Sequence, residues 1–335
     1  MPRITCPDGS LRALSFKQYK IVVNKNTKIW LNYLAGGAIS ALLLWSIYRQ
    51  VMKQANSVNS DAWLHTGPAW WLWACVALMF ANTSLEGFKW RLLAGAVAPV
   101  SYRRAFASYL AGVAFAIITP NRIGEYPGRI LYMGKSNTAR YINVSILGVT
   151  AQLWSVYIFG LAGLIYYNIA FPGLQAKVAL ALCVAANIAA AILYWRFGYW
   201  LPWLEKFRWT RKFATYGKLL SRITIKKQMT ILGISVVRFA IFTAQYLFLL
   251  RWMNVEIPIA AGFCLAALFF WVMAVIPSIA LTELGIRGNV CIVLFQHFSS
   301  NTIGMLAATT GIWMLNLIIP AIIGSVLIIR MRLVS

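Results

Sequence analysis

The chain is poor in acids and in histidine: 7 Asp and Glu and 2 His stand among 335 residues, against 31 Lys and Arg. So few acids and imidazoles exclude an acidic metal cluster and chemistry built on grouped histidines, and no metal or other cofactor is expected. The five cysteines, Cys6, Cys75, Cys183, Cys264 and Cys291, are scattered and lack a CxxC pair. That excludes a disulfide framework and a zinc site. Charged residues make up only 11% of the chain.

Apolar residues take the place of the missing charge, at 61% with a mean hydropathy of +0.70. A soluble domain holds roughly 45–50% apolar and about 25% charged residues, so a water-soluble enzyme is excluded. At about 20 apolar residues per span there is room for roughly seven to nine membrane segments. The net charge of +24 then records topology, because Lys and Arg are retained on the cytoplasmic side. Nucleic-acid binding is not expected, since no separate basic domain exists to present a reading element.

Residues 1–28 carry Arg3, Arg12, Lys17, Lys20, Lys25 and Lys28 and read as a basic cytoplasmic segment. An apolar run from about Ile29 to Tyr48 opens a first membrane half, residues 29–195, and a second span covers about Ala69 to Leu92. Asn82, Glu86, Lys89 and Arg91 fall toward its cytoplasmic end, as a helix-end ion pair with interfacial anchoring or as part of a gate. The next stretch, Ala105 to Ile118, has 14 residues, about 21 Å of helix, too short for a hydrocarbon core of ~30 Å. It stops before Pro120 and the polar run TPNRIGEYPGR. This predicts a re-entrant helical hairpin over about 105–140.

Ordinary spans follow at about 142–170 and 177–193. A basic, aromatic-rich amphipathic segment over 196–228 is placed in the cytoplasmic headgroup layer. The second half, 229–335, holds a span at about 229–250, a second broken segment over about 259–298 that ends its first arm at Pro277, and a final span at about 303–329. The fold expected is an all-α polytopic membrane protein with about six full spans and two oppositely inserted re-entrant hairpins, related as an inverted repeat. Both termini are then cytoplasmic.

Each hairpin carries a proline, a glycine and a Glu-x-x-x-Arg pair. These are Pro120, Gly124, Glu125 and Arg129 in the first, and Pro277, Glu283, Gly285 and Arg287 in the second. Glu four residues before Arg is the favourable order on one helix face. Broken helices at matched places in two halves point to a transporter's substrate site, and non-helical backbone at membrane depth must face protein or a wet cavity. Arg238 lies about nine residues, or ~14 Å, into an apolar span, and Gln245 is two turns further on. Counting Arg122, Arg129, Arg238 and Arg287 against Glu125 and Glu283 leaves two positive charges in excess, so the cavity should attract an anion.

Asn82, Glu86, Lys89, Trp90 and Arg91, then Thr119, Pro120, Gly124, Glu125 and Arg129, then Pro277, Ser278, Glu283, Gly285 and Arg287 together give a chain that resembles the lysylphosphatidylglycerol synthase/flippase transmembrane family over roughly residues 30–330. The second motif reads SIALTELGIR where the family's form is richer in glycine. The resemblance implies a lipid flippase in a bacterial or archaeal cytoplasmic membrane, without the soluble aminoacyl-transferase domain that some members carry. The partner implied is a membrane lipid with an anionic or phosphate-bearing headgroup. A homo-oligomer and a lipid-modifying enzyme partner are both compatible with it. Two other readings stay open: a membrane-embedded lipid-phosphate transferase or hydrolase, with Glu125 or Glu283 as general base, and a non-transporting partner of a glycosyltransferase.

Overall fold

The structure is a computed structural model that describes residues 66–117, 119, 122–133, 137–196, 223–276 and 280–329, besides isolated helical positions between 38 and 52. The expected first span, the basic segment at 1–28, most of the amphipathic segment at 196–228, and Pro120 and Pro277 lie outside the described residues. Side chains of residues 280–285, Glu283 among them, are likewise not described.

Among the described residues the protein is helical throughout. The helices are α1 (Trp70–Ala94), α2 (Tyr102–Ile117), α3 (Glu125–Met133), α4 (Thr138–Ala170), α5 (Leu174–Trp195), α6 (Ile225–Trp252), α7 (Ile259–Val275), α8 (Ala280–Phe295), α9 (Thr302–Trp313) and α10 (Ile319–Ile329). A single π-helical turn, Met314–Ile318, joins α9 to α10. Among the described residues four helices are long and apolar enough to cross a membrane: α4, α5, α6 and the α9–α10 unit. Helix α1 has the length of a span, 25 residues, but interrupts its apolar surface with Glu86, Lys89 and Arg91.

Sequence sets the helix ends. Pro258 stands at the N-cap of α7, and Asn301 caps α9 by accepting from the Gly304 backbone N–H at 2.8 Å, satisfying one of the orphan donors of a first turn. The Asn301 amide also donates to the Met253 carbonyl at 2.8 Å, fastening the start of α9 to the end of α6.

Helices α2 and α3 pack side by side as a helical hairpin. A Cβ on Gly128 would lie 2.8 Å from the Gly112 Cα and 2.9 Å from the Ala111 carbonyl oxygen, so the arms touch backbone to backbone. The Arg104 side chain donates to the Tyr132 carbonyl at 3.0 Å, placing a cation on the C-terminal end of α3 where the helix dipole favours one. At the bend, the Gly124 N–H donates to the Thr119 hydroxyl at 2.7 Å. A side chain at Gly124 would run into the Phe115 carbonyl.

The second pair has a long return arm. Helix α8 runs unbroken for 16 residues, because Gly285 and Gly288 cost an interior helix only about 1 kcal/mol each relative to Ala and do not end it. Its main neighbour is α9, and that of α7 is α4. The two broken pairs also have different surroundings: α2 and α3 pack on α1, α4 and α10, whereas α7 and α8 pack on α4, α6 and α9.

Buried apolar side chains form two large clusters. One gathers Trp90, Leu93, Tyr109, Leu110, Tyr141, Leu147, Ile231 and Leu317. The other gathers Cys75, Met79, Leu164, Tyr246, Leu249, Phe269, Phe295 and Met305. Helices α1, α4, α6 and the last unit each contribute to both clusters, and each carries a polar side chain where it passes from one to the other.

Candidate functional site

The level between the two cores is occupied by Asn82, Glu86 and Lys89 of α1, Gln152 of α4, Ser235 and Arg238 of α6, and Asn316 of the π turn. On α1 the residues bonded to α6 are Cys75, Asn82, Glu86 and Lys89, and on α6 they are Ser235, Arg238 and Gln245. Both sets step by three, four or seven, the spacing of a coiled-coil seam. Running antiparallel, they bring Cys75 to Gln245, Asn82 and Glu86 to Arg238, and Lys89 to Ser235.

Glu86 is the hub. Its carboxylate pairs with Lys89 at 2.7 Å on its own helix, with Arg129 of α3 at 2.8 Å and with Arg238 of α6. Arg129 also pairs with Glu125 on its own helix, as the i, i+4 spacing predicts. Glu86 is 5% exposed, Lys89 2% and Arg129 7%. Arg238 and Glu125 are the more open members, with side chains 14% and 25% exposed.

Neutral groups complete the arrangement. Arg238 donates to the Asn82 carbonyl oxygen at 3.0 Å and to Gln152 at 2.8 Å, and Lys89 donates to the same Gln152 oxygen at 3.3 Å. Asn82 donates to Asn316 Oδ1 at 2.9 Å. The Arg129 guanidinium lies 5.2 Å from the ring centres of both Trp90 and Tyr109, within cation–π range. Trp90 in turn donates to Ser108, whose hydroxyl donates to the Arg129 backbone carbonyl at 2.7 Å. This fixes the helix position from which the guanidinium extends.

Three cations against two carboxylates leave one positive charge in excess. Buried charges are stable only when paired and hydrogen-bonded, and removing one partner of a buried pair costs about 3–5 kcal/mol. The Arg129 Nε is buried without a partner among the described residues. Such a site can hold a further oxyanion.

The expected residues are therefore only partly brought together. Glu125, Arg129 and Arg238 join the network, and Asn82, Glu86 and Lys89 sit inside it, not at a surface helix end as the anchoring alternative has it. Arg91 is exposed and fits that alternative. Arg122 is exposed at the hairpin turn with φ of 57°, the left-handed region uncommon for a non-glycine residue. Gln245 is buried two turns from Arg238 and donates to the Cys75 carbonyl at 2.9 Å. Arg287 is half-buried on α8, and Glu283 and Gly285 are described only as backbone of that helix. Gln152, Ser235, Tyr109 and Asn316 were not expected. The seam spacing on α1 and α6 carried a signal for Ser235, and a polar residue four positions before Pro320 carried one for Asn316.

No curated protein matches the chain. The family model described as the lysylphosphatidylglycerol synthase TM region matches residues 33–324, and with most of the chain covered the protein belongs to that family of multi-pass integral membrane proteins.

Proposed function

We propose that the protein moves an anionic or phosphate-bearing lipid between the leaflets of a bacterial or archaeal cytoplasmic membrane. The observation that carries this reading is the single carboxylate of Glu86, shared by three buried cations from α1, α3 and α6. An incoming phosphate oxygen would compete with Glu86 for Arg129 and Arg238, the two bidentate-capable groups, while Glu125 and Glu86 compensate two of the three cations when no lipid is present. The acyl or prenyl chains stay in the bilayer. Alternating access would open the polar level between the two apolar cores to each leaflet in turn.

In this reading α2–α3 is a re-entrant hairpin entering from the cytoplasmic side, and α7–α8 is its inverted counterpart, with Arg122, Gln245, Glu283 and Arg287 lining the lipid's route and Pro120, Gly124, Pro277 and Gly285 shaping it. Both termini are cytoplasmic. Reconstituted vesicles carrying fluorescent phosphatidylglycerol test it: leaflet exchange should fall by about tenfold or more in Arg129→Ala and Arg238→Ala, the scale of losing one buried charged contact. Exchange equal to wild type in both variants overturns the reading. Product formation from a labelled lipid phosphate by the purified protein would instead favour the transferase or hydrolase.

A further inference from the structure

The last helical unit is bent by its own sequence. Pro320 has no N–H, and its ring excludes the carbonyl of residue 316 from ordinary helical register. The chain answers with a wide turn, in which the Ile319 N–H bonds to the Met314 carbonyl five residues back. A π turn inserts one residue into the helical repeat, rotating the helix beyond it by about 100°. Asn316 lies in the middle of this turn.

The two sides of the turn have different main partners. Helix α9, before it, packs on α6 and α8, and its Met305, Ala307, Ala308 and Ile312 belong to the second apolar core while Trp313 at its end joins the first. Helix α10, after it, packs on the α2 arm of the hairpin. There a Cβ on Gly324 would collide with the Leu110 carbonyl, and the Tyr132 hydroxyl donates to the Leu327 carbonyl at 2.8 Å. Helix α10 is thus fastened to the hairpin that carries Glu125 and Arg129.

Between α9 and α10, Asn316 touches the charge network. Its Nδ2 donates to the Ile312 carbonyl at 3.3 Å, and its Oδ1 accepts from Asn82. Because Asn82 Nδ2 is engaged there, its Oδ1 is turned to accept from Arg238 Nε at 3.0 Å. Reorienting Arg238 therefore disturbs Asn82, and reorienting Asn82 disturbs the bend.

We infer that the Met314–Ile318 turn is a hinge between α9 and the hairpin-bound α10 and that Asn316 is a positioning residue, linking the state of Arg238 to the angle between those two helices. This rests on the anion reading and adds where the resulting motion is taken up. Among the described residues, Arg238 is the charged group that this chain of bonds through Asn82 and Asn316 reaches.

Spin labels at Ile303 on α9 and Ile323 on α10, both exposed, read the bend directly in a cysteine-free background. The full-length protein is placed in nanodiscs of phosphatidylglycerol or of phosphatidylcholine, and the distance distribution is measured. Wild type should show two populations whose ratio differs about threefold between the lipids, a modest population shift. In Asn316→Leu, which keeps the branched shape and removes the amide, the ratio should no longer depend on the lipid. In Pro320→Ala, which leaves every network side chain in place, one narrow population should remain.

Lipid dependence retained in Asn316→Leu at its wild-type size overturns the inference. So do two populations persisting in Pro320→Ala, which also decides the matter if Asn316→Leu does not fold. Lipid retained by purified wild type, identified by mass spectrometry after exposure to both headgroups, separates the two levels. No preference for phosphatidylglycerol sinks the anion reading and the hinge with it, whereas a clear preference with an unchanging wild-type ratio sinks the hinge alone.

Discussion

The helix pairs α2–α3 and α7–α8 carry the same kinds of residue, a proline, a glycine and Glu-x-x-x-Arg, yet they are built differently. In the first, glycines on both arms meet backbone to backbone, and Arg129 reaches a carboxylate on a third helix. In the second, Gly288 faces Leu306 of α9 instead of α7, and among the described side chains Tyr246 shares its hydroxyl with Cys291 Sγ at 3.0 Å and Thr309 Oγ1 at 2.8 Å. A repeated motif therefore does not by itself produce repeated packing, and in the first pair it comes with an acid on α1.

The largest test of that difference is removal of Glu86. Glu86→Ala leaves Lys89, Arg129 and Arg238 compensated by Glu125 alone, and breaking a buried pair costs about 3–5 kcal/mol. The thermal midpoint in detergent should drop far below wild type, while Lys226→Ala, at an exposed position of α6, should hardly move it. Equal midpoints for the two variants would show that the network does not hold the two cores together. Next in size is Arg129→Lys. An ammonium keeps the charge but loses the planar fork and the fit between the Trp90 and Tyr109 rings, together worth about 2 kcal/mol. Arg287→Lys, at a half-buried position, should cost less, and an equal loss in the two variants would make the two pairs equivalent after all.

Much of the architecture was legible because the bilayer imposes simple rules. Apolar length located α1, α4, α5, α6 and the α9–α10 unit, and a 14-residue run ending at a proline located the bend after α2. Glu125 and Arg129 were legible as a same-face pair from their spacing. Their true partner was not, because nothing local to α3 says which helix faces it. Glu86 was visible only as one of two readings, a surface pair or a gate, since nearness to a helix end on paper does not reveal that α2, α3 and α6 enclose it. The π turn escaped the apolar pattern for a similar reason: Pro320 sits within a run that reads as one continuous span, and the register change it forces has no hydrophobic signature. The seam spacing shared by α1 and α6 was present in the sequence, but it gains meaning only once those two helices are known to be neighbours.

The smallest test concerns the glycines. Alanine is favoured over glycine inside a helix by about 1 kcal/mol, so a glycine replaced in open space should stabilise. At Gly128 the added methyl meets the Gly112 Cα and the Phe115 ring at 2.8 Å and the Ala111 carbonyl at 2.9 Å. Two of these are backbone atoms, which cannot swing aside, and overpacking of this kind costs about 1–3 kcal/mol. Gly128→Ala should therefore be destabilising by about 1 kcal/mol after the helix gain is set against it. At Gly288 the nearest atom is Leu306 Cδ2, at 2.7 Å, the far end of a side chain with other rotamers. Gly288→Ala should be neutral or slightly stabilising. Opposite signs of the two midpoint shifts mark the first pair as a closed hairpin and the second as an open one, and two losses of the same size would mean that the arms of both pairs are equally tightly held.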